Sequence, residues 1–175
     1  MIAAVVLAAG ASTRFGSPKQ ALLVEPVVER VRASGAIDDV VVVVGAHEVE
    51  TSARKVHCAE WERGPGASLR CGLAGLTADV EAAVVVLADG PGLDPRAVDR
   101  VVAAWRQHGG DRVAATYGGI RLHPILVARA AWSEVPEAGL RGLPAESVAC
   151  DDLNSPGDVD FADDLQEGWP PPKPE

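Results

Sequence analysis

The chain has 175 residues, of which 47% are hydrophobic and only 4% aromatic, so one domain with a core of Val, Leu and Ala is expected. Its formal net charge of -9 at pH 7 argues against general affinity for nucleic acids. No apolar run approaches the roughly 20 residues that cross a bilayer, and the amino terminus lacks the basic segment of a signal peptide. We therefore expect a cytoplasmic protein that binds neither nucleic acid nor membrane.

The first predicted elements are strands. Three short apolar runs have the length and composition of strands: residues 2–7, 40–44 and 82–87. Because none of them alternates with polar residues, each is predicted to be covered on both faces, as in a parallel sheet.

Segments with helical spacing of apolar residues lie between and after these runs. They fall within residues 27–37, 67–76 and 95–108, and the last of them opens with Pro95 in its first turn. Alternation of strands and helices predicts βαβ units with right-handed crossovers.

Beyond Gly110 the alternation gives way to an antiparallel pattern. Residues 113–117 and 124–127 are strand-like, and the pair Gly118-Gly119 lies between them. Two strand-like runs separated by a short Gly-rich turn predict a hairpin or an antiparallel excursion.

The carboxyl-terminal segment is predicted to consist mainly of turns. Residues 151–160 are acidic and turn-rich, residues 162–165 fit one short helix, and residues 169–175 are Pro-rich, as in an extended tail. We predict a single three-layer α/β/α domain over residues 1–168, with a mostly parallel, Rossmann-like sheet, followed by the tail at 169–175.

The three cysteines, Cys58, Cys71 and Cys150, are widely spaced and form no C-x-x-C pair. An odd number at this spacing argues against a disulfide framework and against a structural zinc site. A reducing compartment is the simpler setting, in agreement with a cytoplasmic protein.

The loop after the first strand is the most informative segment. Residues 7–19 have the sequence LAAGASTRFGSPK. Gly and small side chains allow backbone N–H groups to approach an anion, and Arg14 and Lys19 add two positive charges suited to phosphate. The loop leaves the carboxyl end of a buried strand, where open parallel sheets bind ligands. It is neither a Walker loop nor a G-x-G-x-x-G turn, and the alternative is a small-residue surface loop with solvated cations.

This loop resembles the signature of the MobA-like nucleotidyltransferases, L-A-[AG]-G-x-S-x-R-[FM]-G-x-x-K. The resemblance implies a fold of the nucleotide-diphospho-sugar transferase type. It also implies Mg²⁺-dependent transfer of a nucleoside monophosphate from an NTP to a phosphorylated acceptor, with release of pyrophosphate. The Ala8-Ala9-Gly10-Ala11-Ser12 version with Phe15 is similar to the molybdenum-cofactor cytidylyltransferase branch, which implies CTP and molybdopterin. The alternatives are a guanylyl- or other nucleotidyltransferase acting on a phosphorylated metabolite or sugar, and a catalytically weakened nucleotide-binding protein.

A second site follows the strand at residues 82–87. Asp89 lies just past that strand, and a carboxylate there can hold Mg²⁺, which prefers oxygen ligands. The segment resembles the L-A-D-x-P element of the family, which implies that Asp89 binds the metal. Gly90 stands where the family usually has Gln or Met. The alternative is that Asp89 caps the helix beginning near Pro95, or starts a turn at Gly90.

A second metal ligand is predicted near the carboxyl terminus. The segment at 158–164 resembles the family's closing D-I-D-T-P-E-D, which implies Asp160 as the ligand. Asp158 and the pair Asp151-Asp152 are competing assignments, and solvated carboxylates are the structural alternative.

Three weaker resemblances suggest further contacts. The segment RGPGASLR resembles G-x-x-x-S-L-R and implies that Gly66, Ser68 and Leu69 lie near the base and ribose, although Ser68 alone would suit a helix first turn. The segment GIRLHP resembles G-x-R-G-H-P and suggests His123 on the acceptor side, with a structural hydrogen-bonding role as the alternative. Gly139-Leu140-Arg141 resembles G-A-R, so Arg141 is predicted to contact an acceptor phosphate or to be a surface cation.

The resemblance therefore assigns catalysis to Arg14, Lys19 and Asp89. It assigns nucleotide binding to Leu7, Ala8, Ala9, Gly10, Ala11, Ser12, Thr13, Arg14, Lys19, Gly66, Ser68 and Leu69. The expected partners are an NTP and a phosphorylated small molecule, and we expect a monomer or weak dimer. One departure from the family lies after Lys19, where the family usually has a short Gly-containing connection between a Leu-Leu pair and the next helix. Here residues 22–26 pass straight into that helix, several residues shorter than usual, which motivates the weakened-binder alternative.

Overall fold

The computed structural model describes residues 1–11 and 20–157. Within these residues the chain forms seven strands, three α-helices and two 3-10 segments. The strands are β1 (Ile2–Ala8), β2 (Asp39–Val44), β3 (Arg54–His57), β4 (Ala82–Leu87), β5 (Arg112–Tyr117), β6 (Ile120–Ala128) and β7 (Glu146–Ala149). The helices are α1 (Gln20–Arg32), α2 (Pro65–Ala74) and α3 (Pro95–His108), and the 3-10 segments are Trp61–Arg63 and Arg129–Glu134.

The strands of the described chain make one sheet in the order β3-β2-β1-β4-β6-β5-β7. Within it only β6 runs against its neighbours, so the sheet is mostly parallel, as predicted. Ala8 is paired with Val44, and Leu7 with Leu87, so β1, β2 and β4 end almost level. The loops that follow these three strands therefore leave the sheet at one edge.

Helices cover both faces of the sheet. One core contains Ile2, Ala4 and Val6 of β1 together with the buried sides of α1 and α3. The other contains Ala3 and Val5 of β1 together with Leu69 and Leu73 of α2. Burial of successive residues on opposite faces explains why the strands are apolar without alternation, and it confirms the three-layer α/β/α architecture.

Two helices begin close to the predicted site. The α3 helix spans the predicted residues 95–108, with Asp94 as its N-cap accepting a hydrogen bond from the Arg96 amide at 2.9 Å. The α1 helix already begins at Gln20 and contains Pro26. Leu22 and Leu23 therefore already lie within the helix, and no separate connection follows this pair.

The predicted hairpin is present as β5 and β6. Gly118 and Gly119 join the two strands, both with positive φ (57° and 78°), which suits a two-residue turn between antiparallel strands. The four-residue strands β3 and β7 were not predicted. They extend the sheet at its two ends, and their side chains are mostly exposed.

The argument against disulfides is wrong for two of the three cysteines. Cys58 and Cys71 form a disulfide with a Cα–Cα distance of 5.6 Å, while Cys150 is free and buried. Cys58 follows β3 and Cys71 lies on α2, so the tertiary contact between a strand end and a helix brings them together. In the described ranges, no helix is both long and apolar enough to cross a bilayer.

Candidate active site

A cavity of about 410 Å³ opens at the sheet edge where β1 and β4 end and β6 begins. Leu7, Leu69 and Leu93 contribute apolar walls, so a strand and two different loop or helix regions share the lining. Arg121 and Arg141 add positive charge to the same cavity. In an open α/β sheet this edge is the usual place for a ligand.

Asp89 lies beside the cavity in the turn that ends β4. The Gly90 amide donates to the carbonyl of Leu87 at 3.2 Å, so Asp89 is held in a tight turn, half-buried. The capping alternative for Asp89 is wrong, because Asp94 caps α3. This turn keeps the carboxylate at the sheet edge.

His123 stands across from this turn at the start of β6. It lies two residues beyond the last registered pair of the two strands, Val85 with Ile125, and it lines the cavity. Burial lowers the pKa of His123 to about 4, and the charge of Asp89 opposes this shift. The imidazole is therefore neutral at pH 7 and offers a hydrogen bond instead of a positive charge.

The amino end of α2 forms another wall. Leu69 lines the cavity, Ser68 is buried, and the Gly66 amide donates to the carbonyl of Glu137 at 3.0 Å. Of the three residues that the sequence assigned to the base and ribose, Leu69 lies in the cavity wall and Gly66 is bonded to a neighbouring turn.

That neighbouring turn, residues 136–139, carries the chain to Arg141. Ion pairs of Glu137 connect this turn to Arg63, at the end of the 3-10 segment Trp61–Arg63, and to Arg70 on α2. Arg121 donates a hydrogen bond of 2.6 Å to the carbonyl of Leu143, which follows Arg141 by two residues in the sequence. Arg121 was not assigned a role from sequence, although it lies within the segment GIRLHP that pointed to His123.

The loop at 7–19, the predicted phosphate loop, is described only at its start. Leu7 and Ala8 end β1, and the carbonyl of Ala9 accepts from the Ala46 amide at 3.1 Å. The carbonyl of Ala11 is bonded to Nε2 of His47 at 2.9 Å. Four predicted residues lie outside the described chain: Ser12, Thr13, Arg14 and Lys19.

A family model described as the MobA-like NTP transferase domain matches residues 4–148. The chain belongs to this family. It therefore carries a nucleotidyltransferase domain, as the loop at 7–19 implied, and its sheet is that of the nucleotide-diphospho-sugar transferase fold.

Three known proteins illustrate the similarity. The bifunctional protein GlmU of Sorangium cellulosum (strain So ce56) is 35% identical over an alignment of 133 residues, which covers 65% of this chain and 28% of that protein. The structure of the Rv0371c homologue from Mycobacterium sp. strain JC1 has a TM-score of 0.76 at 25% identity, covering 93% of this chain and 92% of that one. CMP:2-keto-3-deoxy-manno-octonic acid synthetase complexed with CTP has a TM-score of 0.69 at 12% identity, with 94% and 95% coverage, and shows the fold alone.

The acidic residues of this MobA-like domain are distributed over separate places. Asp151 accepts from the Gly118 amide at 2.7 Å, and Arg100 holds the pKa of Asp152 down at about 2. Both carboxylates are thus already bonded within the fold. Asp158 and Asp160 lie outside the described chain.

The described chain nevertheless returns to the Asp89 turn just before those two aspartates. The Gly92 amide donates to the carbonyl of Pro156 at 2.9 Å, and Pro156 and Gly157 line the cavity. No group of three or more His, Cys, Asp or Glu side chains placed to hold a metal occurs in residues 1–11 and 20–157.

Proposed function

We propose that this MobA-like domain transfers CMP from CTP to a phosphorylated small molecule such as molybdopterin, releasing pyrophosphate. The observation that carries the proposal is the cavity at the sheet edge. The loop after β1 leaves the sheet beside this cavity. Arg121 and Arg141 line the cavity, and Asp89 precedes the lining residue Gly90. The choice of CTP rests on the Ala8-Ala9-Gly10 version of the loop with Phe15.

The loop that begins at Ala9 would hold the triphosphate. We assign Arg14 and Lys19 to the β- and γ-phosphates, where their charges would also stabilise the departing pyrophosphate. Leu69 and the amino end of α2 would flank the nucleoside, because they line the same cavity.

The acceptor would enter on the side of Arg121 and Arg141, whose charges suit a phosphate group. A phosphate monoester is largely ionised at pH 7, so it needs no general base. This agrees with His123, whose pKa of about 4 leaves it neutral and hydrogen-bonding. An acceptor phosphate oxygen would attack the α-phosphorus, while the bond to the bridging oxygen of the β-phosphate breaks and its electron pair leaves with pyrophosphate.

Asp89 fits a role as ligand to Mg²⁺. It is a half-buried carboxylate at the sheet edge, and oxygen is the donor that this cation prefers. Asp160 would complete the site, with Asp158 as its competitor, since both follow Gly157 at the cavity rim. When bound, the cation would offset charge on the phosphates and orient the α-phosphate.

Calorimetric titration of CTP, GTP, ATP and UTP, with Mg²⁺ and with EDTA, tests the proposal. We expect selective CTP binding that Mg²⁺ strengthens. Equal or tighter binding of GTP would replace the cytidylyl assignment by a guanylyl one. Absence of binding by every nucleotide would refute the proposal.

Two substitutions test the assigned residues. Asp89→Asn and Lys19→Met should abolish pyrophosphate release from the preferred NTP with a molybdopterin-type acceptor while the variants stay folded. Asp79→Asn and Lys55→Met change the same residue types at exposed positions away from the cavity and should retain turnover. Turnover at the wild-type rate in either site variant would contradict the assignment.

A nucleotide-binding protein without turnover is the second candidate. The observation that favours it is that Leu22 to Pro26 already lie within α1, so no separate connection follows the Leu22-Leu23 pair. NTP binding without pyrophosphate release across a panel of phosphorylated acceptors would favour this candidate.

A further inference from the structure

His47 contacts the phosphate loop although no motif pointed to it. It follows β2 and is half-buried, and its Nε2 lies 2.9 Å from the carbonyl oxygen of Ala11. Because a carbonyl oxygen only accepts hydrogen bonds, Nε2 must carry the proton and donate it. A side chain on the loop after one strand thus holds the backbone of the loop after the next.

This bond continues the pairing of β1 with β2 beyond the sheet. The registered pairs end at Ala8 with Val44, and the Ala46 amide then donates to Ala9. The two loops approach so closely that a Cβ on Gly45 would lie 2.9 Å from the Ala9 carbonyl oxygen. The next hydrogen bond between the two loops, to the Ala11 carbonyl, comes from the side chain of His47 instead of from a backbone amide.

We propose that His47 is a positioning residue that prepares the phosphate loop for the triphosphate; this rests on the proposed function. An anion is bound by N–H groups and repelled by carbonyl oxygens. The hydrogen bond from His47 holds the Ala11 carbonyl oxygen toward the loop after β2. It therefore keeps that oxygen from repelling a phosphate group bound at the loop after β1.

The effect should be seen in binding affinity. A loop already held in its binding conformation loses less conformational freedom when the ligand arrives. Loss of one hydrogen bond of this kind corresponds to an affinity about three- to tenfold weaker. Global stability should change little, because His47 is only half-buried in a loop at the sheet edge.

The test compares His47→Gln with His47→Met in the full chain, by calorimetry with CTP and Mg²⁺ and by thermal unfolding. The two side chains are similar in length, and only Gln keeps an N–H donor. Met should weaken CTP binding about three- to tenfold, Gln should stay within about twofold of wild type, and the melting temperatures should agree. His108→Met is the matched control, since His108 also makes a side-chain hydrogen bond. Its partner is Glu146 of β7, the strand at the end of the sheet remote from β2.

The outcomes separate this inference from the proposed function. Equal affinity of the Met variant and wild type would overturn the inference alone, as would equal weakening by Gln and Met. Weakening by His108→Met would also overturn it. If wild type binds no nucleotide, the proposed function fails and the inference fails with it. Should the Met variant unfold, His47→Ala replaces it against the same Gln variant.

Discussion

Gly66 lies where α2 meets the turn at 136–139, and this contact leaves no space for a side chain. A Cβ at Gly66 would lie 1.7 Å from the carbonyl oxygen of Pro136, and 3.0 Å from the carbonyl carbon of Glu137. Gly66→Ala therefore forces the turn away from the helix. The shift would also break the bond from the Gly66 amide to the Glu137 carbonyl, now 3.0 Å long.

The magnitude follows from three effects. Overpacking of this kind costs about 1–3 kcal/mol, and the lost hydrogen bond about 1 kcal/mol more. Replacing Gly by Ala within a helix returns up to about 1 kcal/mol, so the net loss in the free energy of unfolding should be about 1–3 kcal/mol. For a domain of this size that lowers the melting temperature by roughly 3–10 °C.

Urea unfolding and thermal melting of Gly66→Ala measure this loss. Gly35→Ala is the matched control, because a Cβ at Gly35 would meet nothing within 4 Å. It should stay within about 0.5 kcal/mol of wild type. If Gly66→Ala is as stable as Gly35→Ala, the close contact between α2 and the turn does not exist as described.

Three other predictions concern stability. Asp94→Ala should lower the free energy of unfolding by about 1 kcal/mol, because α3 loses its N-cap. Asp94→Asn keeps a capping side chain and should retain most of that stability. Equal losses for the two variants in urea unfolding would contradict the capping role. Arg100 lowers the pKa of Asp152 to about 2 in the folded protein, whereas the unfolded value is near 4. The Asp152 carboxylate therefore adds to the free energy of unfolding above pH 4, and this contribution is lost as the pH falls through about 2. The stability difference between wild type and Asp152→Asn should thus narrow from pH 7 to pH 3, and a constant difference would refute the pairing. Reducing the bond between Cys58 and Cys71 should cost about 3 kcal/mol, and thiol titration of the denatured chain should give one free thiol before reduction and three after it.

The central elements could be predicted because their signals are local. Strands β1, β2 and β4 are apolar without alternation, and α3 combines a Pro in its first turn with an apolar stripe. Strands β3 and β7 could not be predicted in this way. Their sequences, RKVH and ESVA, lack an apolar pattern, and they are strands because β2 and β5 offer open edges for pairing.

The candidate site, too, could be predicted from the sequence only in part. Asp89 could be placed at the sheet edge because it directly follows a buried strand, and the family model confirms the resemblance from which its role was inferred. The sequence left open whether Asp89 caps α3 or lies in a turn. The structure decides this, because Asp94 is the N-cap of α3. The prediction against disulfides was wrong for Cys58 and Cys71, because they lie 13 positions apart in sequence and only packing of α2 near the end of β3 brings them together.

The sequence by itself determined the succession of the core strands and helices along the chain and the family, and it predicted a ligand site at one edge of the sheet. These features depend on apolar patterns and motifs within short stretches of chain. The tertiary structure alone decided the contacts between distant segments: His47 with Ala11, Gly66 with Glu137, and Arg121 with Leu143. Each of these is a hydrogen bond to a backbone carbonyl, a group that every residue carries. No residue type in the sequence can therefore reveal the partner, and only the packing of the layers selects it.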